Sequence, residues 1–244
     1  MKRLVDLCIA VPTLVLLSPI LAVVCTAIWL QDRRSPFYIA ERVGRGFEPF
    51  RMVKLRSMVV NADKSGVDST GANDNRITAV GRLVRKTKLD EVPQLWNVVR
   101  GEMSLVGPRP NVAREVNLYT DEERRLLSVR PGITDIASIV FADEGDILAD
   151  KADPDIAYNQ LIRPGKSRLG LFYIDHRTTR TDLTLLRLTV NNSLNRRAAL
   201  DACAELLRTM GANDELVELA SRHGELQASA PPGATEIVTT RAIG

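Results

Sequence analysis

The densest chemistry in these 244 residues lies in Arg85-Lys86-Thr87-Lys88-Leu89-Asp90-Glu91-Val92-Pro93-Gln94-Leu95. Two adjacent carboxylates, Asp90 and Glu91, stand between the cations Arg82, Arg85, Lys86 and Lys88 and the start of a helix. One account of such a pair is N-terminal capping, in which the carboxylates accept from unpaired backbone N–H groups. The other is a phosphate site, because N–H groups, helix dipole and cations then converge on one spot, where a carboxylate would stay ionised and nucleophilic. A second candidate is Gly107-Pro108-Arg109-Pro110, whose prolines fix the backbone so that the Arg109 fork could meet a phosphate or a base edge at little ordering cost. Its alternative is a Pro-rich turn with an incidental Arg. A third is Lys54-Leu55-Arg56-Ser57-Met58, where Lys54 and Arg56 either face the same anion or solvate a surface; local sequence leaves both open.

The elements that must position these residues read as mainly helical. Val92, Leu95, Trp96 and Val99 recur at helical spacing after Pro93, and Arg100-Gly101 supplies the stop, so a short helix with a core or membrane-facing stripe is predicted. Thr120 and Glu123 have capping-box spacing and open a second helix that ends before Arg130-Pro131-Gly132. A third runs from about Asp182 toward Leu194. Residues 37–54 are rich in aromatic, β-branched and Gly residues around Val43-Gly44-Arg45-Gly46, which predicts a small β-hairpin. From Asn195 onward two small helices flank Gly211-Ala212-Asn213, and residues 227–244 read as a disordered tail.

Residues 7–30 carry no charge, and a straight helix of that length reaches about 36 Å, enough to cross a bilayer core. Gln31-Asp32-Arg33-Arg34 follows directly with no small-residue cleavage pattern, so the segment reads as retained. Hydropathy alone favours an ordinary spanning helix kinked at Ser18-Pro19. Against it, Ser18-Pro19 divides the run into pieces of about 16 to 18 Å, half a hydrocarbon thickness each. Pro19 cannot donate to the Val15 carbonyl, and Ser18 bonding back to Leu14 would satisfy part of a bend. Cations flank both ends (Lys2 and Arg3, then Arg33 and Arg34), so the positive-inside rule reads no asymmetry and both ends could be cytoplasmic.

Composition removes several functions. With three Cys and two His, neither a disulfide framework nor a Cys/His zinc site is expected. Aromatics are few and do not alternate with cations, so nucleic acid is not an expected partner. Net charge is only +3, but residues 33–58 hold seven Lys or Arg against two Glu, which gathers positive charge where anions bind. Residues 143–155 reverse the balance with six acids and read as a solvated loop without function.

Lys2-Arg3-x-x-Asp6, the apolar run with Ser18-Pro19, Lys54-Leu55-Arg56-Ser57-Met58, Leu89-Asp90-Glu91-x-Pro93-Gln94-Leu95 and Gly107-Pro108-Arg109-Pro110, in this order, resemble the bacterial sugar transferases, the monotopic phosphoglycosyl transferases. The resemblance covers roughly residues 1–195 and is densest over 76–110. It implies an α+β, predominantly helical fold: a re-entrant membrane hairpin (1–34), a small interfacial catalytic domain containing the β-hairpin (35–195), and a helical appendage with tail (196–244). It further implies Asp90 as nucleophile, Glu91 acting through Mg²⁺ or proton transfer, and Arg85 and Arg109 holding the nucleotide sugar, with Lys54 and Arg56 as further substrate-binding candidates. Lys2, Arg3 and Asp6 would anchor the hairpin at the lipid headgroups, with the bend at Ser18 and Pro19. The implied activity moves a sugar-1-phosphate from a nucleotide diphosphosugar to polyprenyl phosphate on the cytoplasmic face of the bacterial inner membrane, feeding downstream glycosyltransferases. The competing readings are a tethered scaffold that recruits glycosyltransferases and an aspartyl-phosphate hydrolase. Two positions depart from the family pattern: Lys88 replaces the usual Ser or Thr, and Asp135-Ile136-Ala137-Ser138 replaces Gly-Trp-Ala-Gln.

Overall fold

The computed structural model describes residues 1–62 and 74–240. Helix α1 (Lys2–Asp32) is one continuous helical element that contains Pro12 and Pro19. Among the described residues it alone is long and apolar enough to cross a membrane, and only 6% of its apolar window is buried. Pro19 leaves the Val15 carbonyl without its helical donor, and Ser18 Oγ donates to that carbonyl at 2.8 Å. The acceptor is therefore Val15, where the sequence pointed to Leu14.

Both ends of α1 are tied to the rest of the chain. The strands β1 (Phe37–Val43) and β2 (Pro49–Leu55) form the expected antiparallel hairpin, in register from Phe37 opposite Leu55 to Val43 opposite Pro49. Near the far end of α1, Asp32 receives a bidentate bond from Arg56 at 2.5 and 2.7 Å, and Ile28 packs on Leu55. Near its start, Asp6 is buried and accepts from Ser104 Oγ at 2.9 Å and the Leu105 N–H at 3.1 Å. Lys2 donates to the Val106 carbonyl at 2.9 Å and pairs with Asp182 at 2.6 Å, while Arg3 donates to the Val98 and Val99 carbonyls. Lys2, Arg3 and Asp6 thus hold the start of α1 against the rest of the fold, and buried Asp6 finds there the partners that a buried polar group needs.

Helix α2 (Ala79–Lys86) begins at Thr78, whose Oγ1 accepts from the Gly81 N–H at 3.0 Å. Helix α3 (Gln94–Arg100) stops, as the sequence predicts, at Gly101, which adopts φ 83°. Its inward face differs from the expected stripe: Leu95 and Val98 are buried while Trp96 is 53% exposed. Buried Asn97 pins α3 to β2, donating to the Arg51 carbonyl at 2.7 Å and accepting from the Val53 N–H at 3.0 Å.

The sequence does not reveal the parallel pair β3 (Ser104–Val106) and β4 (Gly132–Thr134), because three-residue strands leave no periodicity to read. Their approach requires glycine: a Cβ on Gly132 would fall 2.1 Å from the Gly107 nitrogen. After α4 (Ala113–Asn117), the capping box forms as expected: Thr120 Oγ1 accepts from the Glu123 N–H and Glu123 Oε2 from the Thr120 N–H, each at 3.1 Å. The helix it opens is a 3₁₀ helix, Glu123–Ser128. Glu123 is fully buried and paired with Arg163 at 2.5 Å.

After the short helix α5 (Ile136–Val140), the short helices α6 (Glu144–Leu148) and α7 (Pro154–Ala157) form in the acidic stretch expected to be a loop. A π-helical turn, Tyr158–Ile162, leads into α8 (Arg163–His176). Helix α9 (Thr179–Leu194) starts three residues before the expected Asp182, capped by Thr178. The two predicted C-terminal helices are α10 (Arg196–Thr209) and α11 (Asp214–Ser221). Far from being appended, they bury Leu200, Cys203, Leu207 and Leu216 in the same core as Ile139 and Leu169. The described part of the tail contacts the domain: Ser229 N–H donates to the Gln160 carbonyl, and Gln160 Nε2 donates to the Val238 carbonyl at 2.7 Å. Residues 241–244 lie outside the described residues.

Candidate active site

Asp90 and Glu91 sit on a 3₁₀ turn, Leu89–Glu91, between α2 and α3. The chain enters it through Lys88 at φ 57°, a left-handed conformation that costs a non-glycine residue about 1–2 kcal/mol. No side chain caps the turn or α3, so the capping account of the carboxylate pair fails. Glu91 Oε1 instead accepts from Arg109 Nη2 at 2.5 Å and lies 3.6 Å from Lys54 Nζ. Asp90 Oδ1 is buried with no hydrogen-bond partner. A buried carboxylate oxygen left open is costly, and such exceptions call for a functional explanation.

The two acids are driven apart electrostatically. Burial works against ionisation of Glu91, but the charges of Arg109 and Lys54 outweigh it and hold its pKa at about 2. Burial pushes the Asp90 carboxyl up, and the neighbouring Glu91 charge pushes it further; Lys54, Arg85 and Lys88 only partly offset this. Lys54 is lowered to about 8, first by burial and then by Arg109, despite the pull of both carboxylates. Two neighbouring groups with diverging pKa values are the usual mark of divided chemical roles: Glu91 is a permanent anion, Asp90 a basic, unpartnered one.

Both carboxylates open on a cleft of about 1540 Å³. Of the residues singled out by sequence, it brings together Lys54, Arg56, Arg85, Lys88, Asp90, Glu91 and Arg109. Arg109 projects from the segment that follows β3, where the Gly107–Gly132 approach sets the backbone. Arg82 and Lys86 are exposed and do not line the cleft. Arg56 reaches the wall but commits three donors to Asp32 and the Ser35 carbonyl, so it acts as a tether of α1 rather than as an open phosphate donor. Lys2, Arg3, Asp6, Ser18 and Pro19 lie outside the cleft. Among the described residues no three acids, His or Cys converge to hold a metal; the adjacent carboxylates Asp90 and Glu91 are the groups available to one.

The cleft is further lined by Asp135, from the segment that departs from the family pattern, and by Glu144 and Lys166, which the sequence did not single out as functional. Asp135 is buried, accepts from the Ser138 N–H at 2.6 Å, and is raised by that burial. Glu144 and Lys166 form an ion pair in the same cleft, and the Lys166 ammonium lies 5.3 Å from the Tyr158 ring centroid. A signal was present in the sequence, since Asp135 is a departure from the family pattern and Glu144 belongs to the acidic stretch. It was unreadable because these residues are brought to Arg109 only by long-range packing.

Residues 1–196 match the family model for bacterial sugar transferases, four fifths of the chain. The chain belongs to the bacterial sugar transferase family. It is 41% identical over 149 residues to the UDP-galactose-lipid carrier transferase of Erwinia amylovora, covering 55% of this chain and 31% of that protein. To the UDP-glucose:undecaprenyl-phosphate glucose-1-phosphate transferase of Klebsiella pneumoniae it is 36% identical, with 68% and 36% covered. The sugar transferase EpsL of Bacillus subtilis, described as uncharacterized, is similar over 80% of this chain and 87% of its own length, at 34% identity. This bacterial sugar transferase thus spans about a third of the length of the first two relatives. Its last 48 residues, which include α11 and all of α10 but Arg196, lie beyond the family match.

Proposed function

We propose that this chain transfers a sugar-1-phosphate from a uridine diphosphosugar to a polyprenyl phosphate such as undecaprenyl phosphate, through a covalent phosphosugar on Asp90. The observation that carries this reading is the buried, unpartnered Asp90 oxygen beside a cleft lined by Lys54, Arg85, Lys88 and Arg109. The names of the relatives supply the substrate classes. In the first half-reaction an Asp90 oxygen attacks the phosphorus that bears the sugar; the P–O bond to uridine monophosphate breaks and the nucleotide leaves. In the second, a phosphate oxygen of the lipid attacks the same phosphorus and displaces the Asp90 carboxylate, leaving a polyprenyl diphosphosugar. The anomeric bond is untouched. Lys54, Arg85 and Arg109 counter the charge that would otherwise repel the attacking carboxylate.

Mg²⁺ fits this site, because it is commonly held by one or two carboxylates together with substrate phosphates and water. Glu91, with Asp90 beside it, would hold the ion, which when bound would neutralise charge on the diphosphate. Glu91 is suited to that task by remaining ionised throughout the physiological range.

In the same reading α1 enters the cytoplasmic leaflet of the bacterial inner membrane and returns by bending at Ser18-Pro19, which brings the lipid acceptor to the cleft. Support comes from the ties of both ends of α1 to one domain, Asp6 to Ser104 and Asp32 to Arg56, and from the exposed apolar middle of the helix. The product would pass to downstream glycosyltransferases in assembly of a surface glycan.

The decisive experiment incubates the chain with donor and Mg²⁺ but without lipid. Release of uridine monophosphate equal to the enzyme, a phosphosugar on the Asp90 peptide by mass spectrometry, and loss of both in Asp90→Asn are expected. Release that strictly requires the lipid, with no adduct, would refute the covalent route; release that continues turning over without lipid would favour hydrolysis; full activity in Asp90→Asn would leave the scaffold. For topology, a Cys appended at the N-terminus should resist an impermeant thiol reagent in intact cells, and labelling from outside would defeat re-entry.

A further inference from the structure

The wall of the cleft that faces Arg109 is built, charged and assigned no task by the reaction just described. Glu144, from α6, pairs with Lys166, from α8, and both line the cleft. Glu144 and the buried Asp135 lie close enough to Arg109 for their charges to act on it, as that of Glu91 does. Arg109, the carboxylate pair, Glu144 and Lys166 all line one cleft, so a donor phosphate held by Arg109 would leave its sugar in the space that Glu144 and Lys166 border.

The wall is also held rigid. Asp143, the neighbour of Glu144, forms ion pairs with Arg196 at 2.8 Å and Arg222 at 3.1 Å. Arg196 also donates to the Ile139 and Val140 carbonyls, and the Arg222 guanidinium lies 5.6 Å from the Phe141 ring centroid. Arg196 opens α10 and Arg222 ends α11, so the C-terminal helices that pack into the core clasp the segment that carries Glu144. Preorganised groups of this kind discriminate between ligands because they lose little entropy on binding.

Building on the sugar-phosphate transfer reading, we propose that Glu144 and Lys166 are specificity-determining residues that contact the sugar of the donor, and that this sugar is a neutral pyranose. An acceptor and a donor side by side match adjacent hydroxyls, or a hydroxyl beside an acylamino group. Over residues 135–167 the lining holds Asp135, Asp143, Glu144 and Asp146 against Arg163 and Lys166, which disfavours a sugar carrying its own carboxylate.

The test measures kcat/KM for wild type, Glu144→Gln and Lys166→Met with the uridine diphosphate derivatives of glucose, galactose, their N-acetylamino forms and glucuronic acid. Inhibition by uridine monophosphate, which has no sugar, is measured alongside. Each substitution is expected to lower kcat/KM for the preferred neutral sugar by roughly 10- to 100-fold, as when a charged hydrogen bond to a substrate hydroxyl is removed and its partner stays desolvated. Inhibition by the nucleotide should stay unchanged, and Glu144→Gln should narrow the preference for neutral over carboxylated sugar. Unchanged kcat/KM, or an equal loss for every sugar accompanied by weaker nucleotide inhibition, would overturn the proposal while leaving the transfer reading intact. A wild-type chain that releases no nucleotide from any donor would overturn both. Should Glu144→Gln fail to fold, Glu144→Asp, which keeps the charge but withdraws it by one methylene, must lower kcat/KM for the preferred sugar while nucleotide inhibition stays unchanged, or the proposal falls.

Discussion

Replacing Lys54 with Met should stabilise the folded chain while disabling its chemistry. The side chain of Lys54 is only 20% exposed, and burial with the charge of Arg109 lowers its pKa from 10.5 to about 8. That depression corresponds to about 3 kcal/mol by which the folded environment disfavours the ammonium, an upper bound because the group keeps some access to water. Below pH 8 the folded chain bears the whole penalty. Between about pH 8 and 10.5 the folded lysine has lost its proton while the unfolded one keeps it, so the unfolded state binds more protons and wild-type stability rises with pH across that window. Lys54→Met lacks this rise. Urea unfolding should therefore find the variant more stable than wild type by up to about 3 kcal/mol at pH 7, with the advantage shrinking toward the residual packing difference near pH 10.5. Nucleotide release should fall in the same variant at pH 7, since the diphosphate loses a cation that Asp90 needs beside it. A stability difference that does not change between these two pH values, or a variant less stable at pH 7, would refute the claim that this ammonium is held against its preference for water.

Further consequences concern neighbouring groups. Because the nucleophile must be ionised and Asp90 is raised by burial and by Glu91, kcat/KM should fall on the acid side at a pH above the ordinary carboxylate range; it should fall again above about pH 8 as Lys54 loses its charge. Lys54→Arg should remove that alkaline limb in a pH–rate profile. Arg109→Lys keeps the charge but not the planar fork that reaches Glu91, so donor kcat/KM should drop by roughly 10-fold or more in steady-state kinetics. Glu123→Gln leaves the buried Arg163 cation without its partner, which should cost about 3–5 kcal/mol in denaturant unfolding, although Glu123 lies away from the carboxylate pair.

What the sequence determined by itself was local chemistry. The β-hairpin, the stop at Gly101, the capping box of Thr120 and Glu123, and the two helices around Gly211 all follow from propensity and capping within a few residues, and each is present. The adjacency of Asp90 and Glu91 and the prolines around Arg109 were equally legible, as were their family motifs. Tertiary structure decided what these groups face. Only packing brings Lys54 and Arg109 to Glu91 and leaves an Asp90 oxygen without a partner. It also gives Arg56, Lys2, Arg3 and Asp6 partners that tether α1 to the rest of the fold. The acidic stretch shows the limit most sharply: its charge count reads as a solvated loop, yet Asp143 is clasped by Arg196 and Arg222, and Glu144 is carried to the cleft. The physical reason is range. Capping and periodicity act between residues three or four apart, whereas the desolvation and charge that define this site depend on groups brought together from distant parts of the chain.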